Sequence, residues 1–286
     1  MISAHTAADP TGGTPAVTGA PENAQREASE RVWGSGRLLR RYGGRNLRPA
    51  ERALFEAYAG ALSGQVLELG CGGGRLTAHL IDIASAVHGV DIAASMVEHC
   101  RRAYPRATFS RGDLRDLSRF ESAGWDAVVA GFAVIDVLSD DERGVFLDEV
   151  HRILRPGGLF IFSTHNLACA PLLRGPLRSI SAATPVSFAS QVLRIPRSLR
   201  NRRRLLPWQL VAEDHAILND PAHDFSLLHY YITRDGQERQ LARRGFALSE
   251  CLRLDGQPVR PGESAVGWHE LHYAATRGPG AAGATR

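Results

Sequence analysis

The stretch that decides the fold is Val66-Leu67-Glu68-Leu69-Gly70-Cys71-Gly72-Gly73-Gly74-Arg75. Its first four residues are typical of a buried strand, and its glycines stand where that strand should turn into a helix expected over 76–84. Glycine permits tight turns and lets a ligand lie directly against the main chain. Because open α/β sheets bind ligands outside the carboxyl ends of their strands, this loop is predicted to be a ligand-binding turn.

The fold class follows from the alternation of strands and helices around this loop. Strands that alternate with helices indicate βαβ units, so we expect an α/β fold with a doubly wound, mostly parallel, Rossmann-like sheet and helices on both faces. The apolar patterns predict five strands in order and two closing strands after a helix over 234–244, which makes a seven-stranded sheet. The seven expected strands are 66–69, 87–91, 108–109, 125–130, 159–163, 246–254 and 264–275.

The chain is expected to form one domain over 29–277, with an insertion after the fifth strand. Residues 1–28 contain many glycines, prolines and small polar residues, so they are predicted to be a disordered tail, as is the end over 278–286. The region 166–225 contains repeated prolines that should interrupt short amphipathic pieces, and it is predicted to form a lid.

The nature of the ligand is indicated by Asp91, which ends the second expected strand. A carboxylate there can accept hydrogen bonds from both hydroxyls of a ribose. A dinucleotide fingerprint would need a third glycine where Arg75 stands, and a phosphate-binding loop of the Walker type needs a lysine, which the chain lacks altogether. These absences favour a nucleoside ligand over a dinucleotide or a nucleoside triphosphate.

Four segments in the expected order resemble the motifs of class I S-adenosylmethionine-dependent methyltransferases: VLELGCGGGR, GVDIAASM, RGDL and LRPGGL, at 66–75, 89–96, 111–114 and 154–159. The similarity covers roughly residues 60 to 165. It implies S-adenosyl-L-methionine as the cofactor, with Glu68 and Gly70 facing its methionine part. It also implies that Asp113 hydrogen-bonds the adenine amino group and that Leu114 offers its backbone nitrogen. Further expected contacts with the cofactor come from Tyr42, Cys71, Gly72, Asp91, Ile92, Met96 and Gly131.

A catalytic base is sought at the ends of the fourth and fifth expected strands, where the resemblance implies that the acceptor binds. His165 titrates near neutrality when unperturbed, so it is the first candidate for a general base, and His229 is the second. The chain has no N/D-P-P-Y/F motif, which disfavours planar amine or amide acceptors, and the carboxylates of a metal-dependent enzyme are not evident, so no metal is predicted.

Composition says little about the acceptor molecule, but it bears on where in the cell the protein is located. The chain has 286 residues, a formal net charge of +4 and 44% hydrophobic residues. There is no signal peptide pattern, no uncharged run long enough to span a bilayer and no cysteine pair with zinc-ligand spacing. We therefore expect a bacterial, cytoplasmic enzyme without a membrane partner; its oligomeric state is left open.

The function that we expect is methyl transfer to an oxygen or nitrogen of a small molecule, of a natural-product or sugar type. Six arginines over 194–204 leave an alternative, an RNA methyltransferase that holds phosphates with this insertion, although aromatic residues for base stacking are scarce there. A nucleic acid partner is therefore disfavoured. Another alternative is a module that binds the cofactor without catalysis.

Overall fold

The computed structural model describes residues 20–33, 46–170 and 185–278; side chains are described from residue 25 in the first helix and from residue 192 in the helix that begins at 185. Tyr42 lies outside the described residues. So do residues 1–19 of the expected N-terminal tail and residues 279–286 of the expected C-terminal tail.

The centre of the described chain is one large, mostly parallel sheet. Its parallel strands lie in the order β3-β2-β1-β4-β5, and β10 runs antiparallel between β5 and β9. The strands are β1 (Gln65–Leu69), β2 (Ala86–Asp91), β3 (Thr108–Arg111), β4 (Trp125–Ala130), β5 (Leu154–Asn166), β6 (Leu210–Val211), β7 (His215–Leu218), β8 (His229–Ile232), β9 (Phe246–Arg253) and β10 (Glu270–Arg277).

Three helices precede β1, and the other five lie along connections between strands, as a parallel sheet requires. The helices are α1 (Ala20–Trp33), α2 (Pro49–Ala57), α3 (Ala59–Leu62), α4 (Thr77–Ile83), α5 (Ala94–Ala103), α6 (Asp140–Ile153), α7 (Pro185–Leu205) and α8 (Arg234–Arg243). The start of α6 is fixed by a capping box, in which Ser139 Oγ accepts from Glu142 N at 3.3 Å and Glu142 Oε2 accepts from Ser139 N at 2.8 Å.

The core forms two apolar layers, one on each face of the sheet. On one face Leu67, Val128 and Phe160 pack with α6 and β9; on the other face Val66, Val129 and Ile161 pack with α2 and α4. Adjacent residues of a strand point to opposite faces, so a central strand of a covered sheet is apolar at nearly every position. This explains why Val66 to Leu69 and Ala127 to Ala130 are all buried.

The sheet is wider than the seven strands that the sequence predicts, since ten strands are described. The three additional strands are β6, β7 and β8, and β8 pairs in parallel with the end of β5 at His165 and Asn166. These strands are short, and short apolar runs among prolines give little periodic signal. The doubly wound core itself is as expected.

The expectation of a disordered tail over 1–28 is wrong for its last part, because α1 covers Ala20–Trp33. The side chain of Gln25 explains how this polar segment is held: Gln25 Nε2 donates to Leu228 O at 2.6 Å, and Leu228 N donates to Gln25 Oε1 at 3.1 Å. A paired amide stabilises a segment that has few large apolar residues.

The region expected to be a lid contains a long helix in place of several short pieces. The helix α7 extends over 21 residues and includes Pro196 in its interior, where the sequence analysis expected a break. Its first residue is Pro185, at a position where the missing N–H has no intrahelical partner in any case. In the described part of the chain, no helix has both the length and the apolar character that crossing a bilayer requires.

Candidate functional site

The glycine loop after β1 is built around a main-chain conformation that favours glycine. Gly70 has φ +68°, and a Cβ atom there would lie 2.3 Å from Val134 Cγ2. Its N–H and that of Cys71 both donate to Val90 O, at 2.8 and 3.0 Å. The loop is thereby held against the end of β2, and its backbone forms one wall of a cavity.

Asp91 connects this loop to the second motif. One carboxylate oxygen accepts from Gly72 N and the other from Ala93 N, both at 2.8 Å. Each carboxylate oxygen can accept a second hydrogen bond. The side chain is buried, and burial raises its pKa, although the two backbone hydrogen bonds oppose that shift.

The third motif contributes Asp113, which lies beside two arginines. Arg115 Nη1 is 3.1 Å from Asp113 Oδ1, and Arg26 Nε of α1 is 3.2 Å from Asp113 Oδ2. Asp113 Oδ2 is buried and accepts no hydrogen bond with good geometry. An unsatisfied buried oxygen at the cavity wall suits a ligand that donates a hydrogen bond.

Glu68 places a buried acid under the loop. Its Oε2 accepts from Thr77 Oγ1 at 2.5 Å. Burial raises the pKa of Glu68 to about 8, and the neighbouring Asp91 charge adds to that shift. A cationic group bound beside Glu68 would favour its ionised form.

A single cavity of about 260 Å³ brings nearly all of the expected site residues together. Both candidate bases and every expected cofactor contact in the described part of the chain line it. These residues are Glu68, Gly70, Cys71, Gly72, Asp91, Ile92, Met96, Asp113, Leu114, Gly131, His165 and His229. Their individual roles stay predictions.

The loop after β4 forms another part of the cavity wall. Phe132 and Ala133 both have positive φ, 60° and 52°, which is uncommon for residues with a Cβ atom. Ala133 N donates to Ser163 Oγ of β5 at 2.8 Å, which holds the turn in place. Phe132 lines the cavity, with the Arg48 guanidinium 4.1 Å from its ring centroid.

His165 is held by a buried carboxylate that the sequence analysis missed. Asp136 Oδ2 accepts from His165 Nδ1 and from His165 N, both at 2.7 Å. With Nδ1 donating, the other ring nitrogen, Nε2, carries the lone pair of neutral histidine. Burial lowers the pKa of His165, but the hydrogen bond and charge of Asp136 outweigh it, so the pKa lies above its ordinary value.

Asp136 is itself fixed from the opposite side. Its Oδ1 accepts from Arg143 Nη1 at 2.8 Å and from Thr164 Oγ1 at 2.5 Å, and both Asp136 and Arg143 are 1% exposed. Burial raises the pKa of Asp136, but its bonds to His165 and the Arg143 charge lower it further, so the net shift is downward. The group is therefore an ionised carboxylate that orients His165.

A second histidine and carboxylate lie next to this pair. His229 Nδ1 is 3.0 Å from Asp220 Oδ2, although without hydrogen-bond geometry, and Tyr231 Oη donates to the same oxygen at 2.7 Å. The rings of His165 and His229 have centroids 5.7 Å apart. Both histidines line the cavity, His165 near the carboxyl end of β5 and His229 at the start of β8.

The cavity is covered by the N-terminal helix and by the segment 222–225. Ser29 and Trp33 of α1 line it, as do Ala222 and His223. The Trp33 and His223 rings meet edge to face with centroids 4.9 Å apart. These two parts of the chain, more than 180 residues apart in sequence, form its roof.

Several of the residues just described were missed by the sequence analysis. Asp136 had a usable signal, since a single carboxylate in the apolar run Val134-Ile135-Asp136-Val137 must be paired if it is buried. Glu270 and the α1 residues had none, because partners such as Arg48 of Glu270 and Leu228 of Gln25 are distant in sequence, and Asp220 lies in a segment without a regular apolar pattern. Glu270 lines the cavity, lies opposite His165 in the β10–β5 pair, and has a buried Oε1 without a hydrogen bond.

Comparison with known proteins agrees with the motif resemblance. Residues 66–158 match a family model described as a methyltransferase domain. A probable S-adenosylmethionine-dependent methyltransferase of Mycolicibacterium smegmatis is 42% identical over 101 residues, which is 35% of this chain and 38% of that relative. A malonyl-[acyl-carrier protein] O-methyltransferase of Enterobacter lignolyticus is 31% identical over 118 residues, 41% of this chain and 45% of the relative. The chain thus spans less than half the length of these curated relatives.

Solved structures extend the likeness of the fold to most of the chain. The 1,6-didemethyltoxoflavin-N1-methyltransferase of Burkholderia thailandensis superposes with a TM-score of 0.59 at 17% identity, over 93% of this chain and 94% of that one. An S-adenosylmethionine-dependent methyltransferase of Clostridium acetobutylicum superposes with a TM-score of 0.51 at 12% identity, over 80% of this chain and 90% of that one.

The glycine loop, the acidic residue that ends β2 and the third motif therefore stand on the sheet of a methyltransferase fold. Residues 66–158 match the family model of a methyltransferase domain, so this part of the chain is similar to S-adenosylmethionine-dependent methyltransferases.

Proposed function

We propose that this protein transfers a methyl group from S-adenosyl-L-methionine to an oxygen or nitrogen of a small molecule, with His165 as the general base. The observation that carries the proposal is the single cavity in which the loop of Gly70 and Gly72, with Asp91 and Asp113, meets His165 backed by Asp136. One wall suits an adenosine ligand, and the other offers a base.

The residues present fit the cofactor that the family uses. Asp91 retains acceptor capacity for ribose hydroxyls, Asp113 Oδ2 lacks a hydrogen-bonded partner, and Glu68 offers a buried acid for a cationic group. Ile92 and Met96 supply apolar surface at the same wall. The chemistry that S-adenosylmethionine supplies when bound is a methyl group activated by a sulfonium.

The protein's own part in the reaction is to align the acceptor and take its proton. Neutral His165 accepts a proton at Nε2, because Nδ1 donates to Asp136 Oδ2. The carboxylate of Asp136 then stabilises the imidazolium that forms. Such a base serves an O–H or N–H acceptor, which must lose its proton as the methyl group is transferred.

The size and cover of the cavity support a small acceptor. The cavity has a volume of about 260 Å³, and Trp33 and His223, which line it, meet edge to face. Related proteins carry names such as fatty-acid O-methyltransferase in Mycolicibacterium smegmatis, and the Burkholderia thailandensis structure holds 1,6-didemethyltoxoflavin. These names support small acceptors of this kind here.

Donor binding is the first test, since it needs no knowledge of the acceptor. Titration calorimetry of the full chain with S-adenosylhomocysteine should give saturable heat, and Asp91→Ala should weaken binding at least about tenfold through lost hydrogen bonds. Asp82→Ala, which alters a carboxylate that is 70% exposed, is the matched control. No heat from the wild-type protein would contradict the proposal.

The second test is transfer of a labelled methyl group into small-molecule extracts of bacterial cells. His165→Gln should lower incorporation about a hundredfold or more, since a positioned base contributes roughly 10²–10⁴. It should leave donor affinity unchanged. His99→Gln, on α5 and outside the cavity, is the control. Donor binding without transfer to any acceptor would favour the non-catalytic module instead.

A further inference from the structure

A surface outside the cavity combines exposed aliphatic side chains with arginines. It comprises residues 192–211, that is, the second half of α7, the turn after it and β6, and we refer to it as the 192–211 face. Nine large apolar side chains are exposed among the residues whose exposure the structure describes, and six of them are in these 20 residues. The six are Val192, Leu193, Leu199, Leu206, Leu210 and Val211.

Within residues 192–211 every charged side chain is an arginine, although Arg194 pairs with Asp224 at 3.8 Å and the exposed Glu213 follows β6. The sequence has no aspartate or glutamate from 150 to 212, and residues 166–212 contain eight arginines. Since the whole chain has a net charge of only +4, the rest of it is net negative. Arg197, Arg200, Arg203 and Arg204 are exposed on α7 beside the aliphatic residues.

The exposed residues of α7 lie on its outer side, and the other side of α7 packs against the protein. Ser198 and Leu205 are buried, and Asn201 Nδ2 donates to Asp224 O at 2.9 Å. Arg202 lies with its guanidinium 5.4 Å from the Phe225 ring centroid. In contrast, Leu193 is 81% exposed and Val211 is 63% exposed.

We propose that the 192–211 face docks onto the surface of an anionic lipid bilayer. A helix with exposed leucine or valine and arginine lies in the plane of a membrane, where the aliphatic side chains enter the acyl boundary and the guanidinium groups contact anionic headgroups. Arginine stems can lie along apolar surface while their charges stay in the headgroup layer. An anionic bilayer would thus contact both the aliphatic side chains and the arginines of this face.

RNA would contact only the arginines of this face. Arginines can neutralise phosphates, but binding to single strands also needs aromatic side chains for stacking, and Trp208 is the one aromatic residue in 192–211. The six exposed aliphatic residues would stay in water on an RNA surface. The expectation of no membrane partner was based on the absence of a spanning segment, which an interfacial helix does not need.

The face is also joined to the candidate active site. The helix α7 contacts Asp224 and Phe225, and the preceding residues Ala222 and His223 line the cavity. If the outer side of α7 docks on a bilayer, α7 alone lies between the membrane surface and the segment 222–225.

The test is flotation of the full chain with vesicles made of phosphatidylcholine alone or of an equal mixture with phosphatidylglycerol. We expect binding to the mixed vesicles and little to phosphatidylcholine. The combined change Leu193→Asn and Val211→Asn should weaken binding at least about tenfold, from lost apolar burial. The changes Arg200→Gln, Arg203→Gln and Arg204→Gln should each cost about fivefold, as roughly 1 kcal/mol per charge implies.

Matched controls make the same changes elsewhere on the surface. Val145→Asn with Val266→Asn alters two other exposed apolar residues, and Arg52→Gln, Arg102→Gln and Arg260→Gln remove three other exposed charges. Thermal melting of every variant verifies folding, and all substituted residues are exposed.

Three results would overturn the proposal: no binding to mixed vesicles, equal binding to both kinds, or variants of the face that bind like their controls. Binding of bulk RNA that is unaffected by the Leu193→Asn and Val211→Asn changes, in a protein that does not float with vesicles, would assign the face to RNA instead. Because the vesicle assay contains no methyl donor, its outcome is independent of the proposed catalytic function.

Discussion

Asp136 Oδ2 and His165 Nδ1 lie 2.7 Å apart at the cavity, and the carboxylate of this pair is buried beside Arg143. The pair joins the segment after β4 to the end of β5. It gives the cavity an oriented imidazole next to a fixed charge, and it links the candidate base to a buried ion pair in the core.

Replacement of Asp136 by asparagine should reveal both roles of this carboxylate. Because Arg143 is buried, loss of its charged partner should lower the free energy of unfolding by about 3 kcal/mol. The pKa of His165 should fall, since the Asp136 charge that raises it is removed while burial persists. Urea denaturation measures the first effect, and NMR titration of the His165 ring protons measures the second.

The control for this change is Asp126→Asn, which alters a carboxylate paired with the half-exposed Arg155. Exposed pairs contribute about 0–1 kcal/mol, so this variant should be nearly as stable as the wild type. A His165 pKa that is the same in the Asp136→Asn variant and in the wild type would contradict the pairing.

Glu68 should give the protein without donor a stability that decreases as pH rises. Burial raises its pKa from 4.5 to about 8, so between these values the folded chain retains a proton that the unfolded chain has lost. The stabilisation from the protonated form is complete below the unfolded pKa and is lost as pH rises through the folded one. Glu68→Gln should flatten this dependence between pH 5 and pH 8 in thermal melts.

Glu56→Gln changes an exposed glutamate on the preceding helix, α2, and should leave the pH dependence of melting intact. If the melting temperatures of the Glu68→Gln variant and the wild-type protein depend on pH with the same slope, Glu68 does not carry the proton. A bound donor with a cationic group beside Glu68 should also reduce the slope, because it favours the carboxylate.

The glycine loop should be sensitive to a single added carbon at Gly70. Alanine there meets both a positive φ and Val134 Cγ2 at 2.3 Å, whereas alanine at Gly262 meets a φ of +78° with nothing within 4 Å. Both variants should lose about 1–2 kcal/mol from backbone strain, and Gly70→Ala about 1–3 kcal/mol more from the overlap. The double variant Gly70→Ala with Val134→Ala should recover part of this difference in the free energy of unfolding. Urea denaturation measures it. Equal losses for the two glycines would exclude the overlap as a cause.

The N-terminal helix should loosen when Gln25 is shortened. Gln25→Ala leaves Leu228 N and Leu228 O without their partner and should cost about 1–3 kcal/mol in local stability. Hydrogen exchange over 20–33 should accelerate, and affinity for S-adenosylhomocysteine should fall, because Ser29 and Trp33 line the cavity. Arg31→Ala, at an exposed position of the same helix, should change neither. Unchanged exchange in Gln25→Ala would show that other contacts hold α1.

The sequence by itself determined the central βα units and placed the glycine loop, Asp91 and Asp113 at one sheet edge, where they line one cavity. The signals are local there: apolar runs define strands β1 to β5, and the glycine loop, Asp91 and Asp113 stand at fixed offsets from them. Strand ends of one parallel sheet meet at one edge, so residues at those ends could be placed together without any knowledge of distant contacts. His165 was found in the same way, as a residue at the end of β5.

Only the tertiary structure decided what surrounds those residues. Asp136 is paired with His165, 29 residues away, and Gln25 is bonded to Leu228, 203 residues away; a carboxylate or an amide shows no such partner in its own neighbourhood of the sequence. The three added strands and the roof over the cavity arise in the same manner. Local pattern fixes backbone conformation, whereas the pairing of buried polar groups depends on which distant segments the packed core brings into contact.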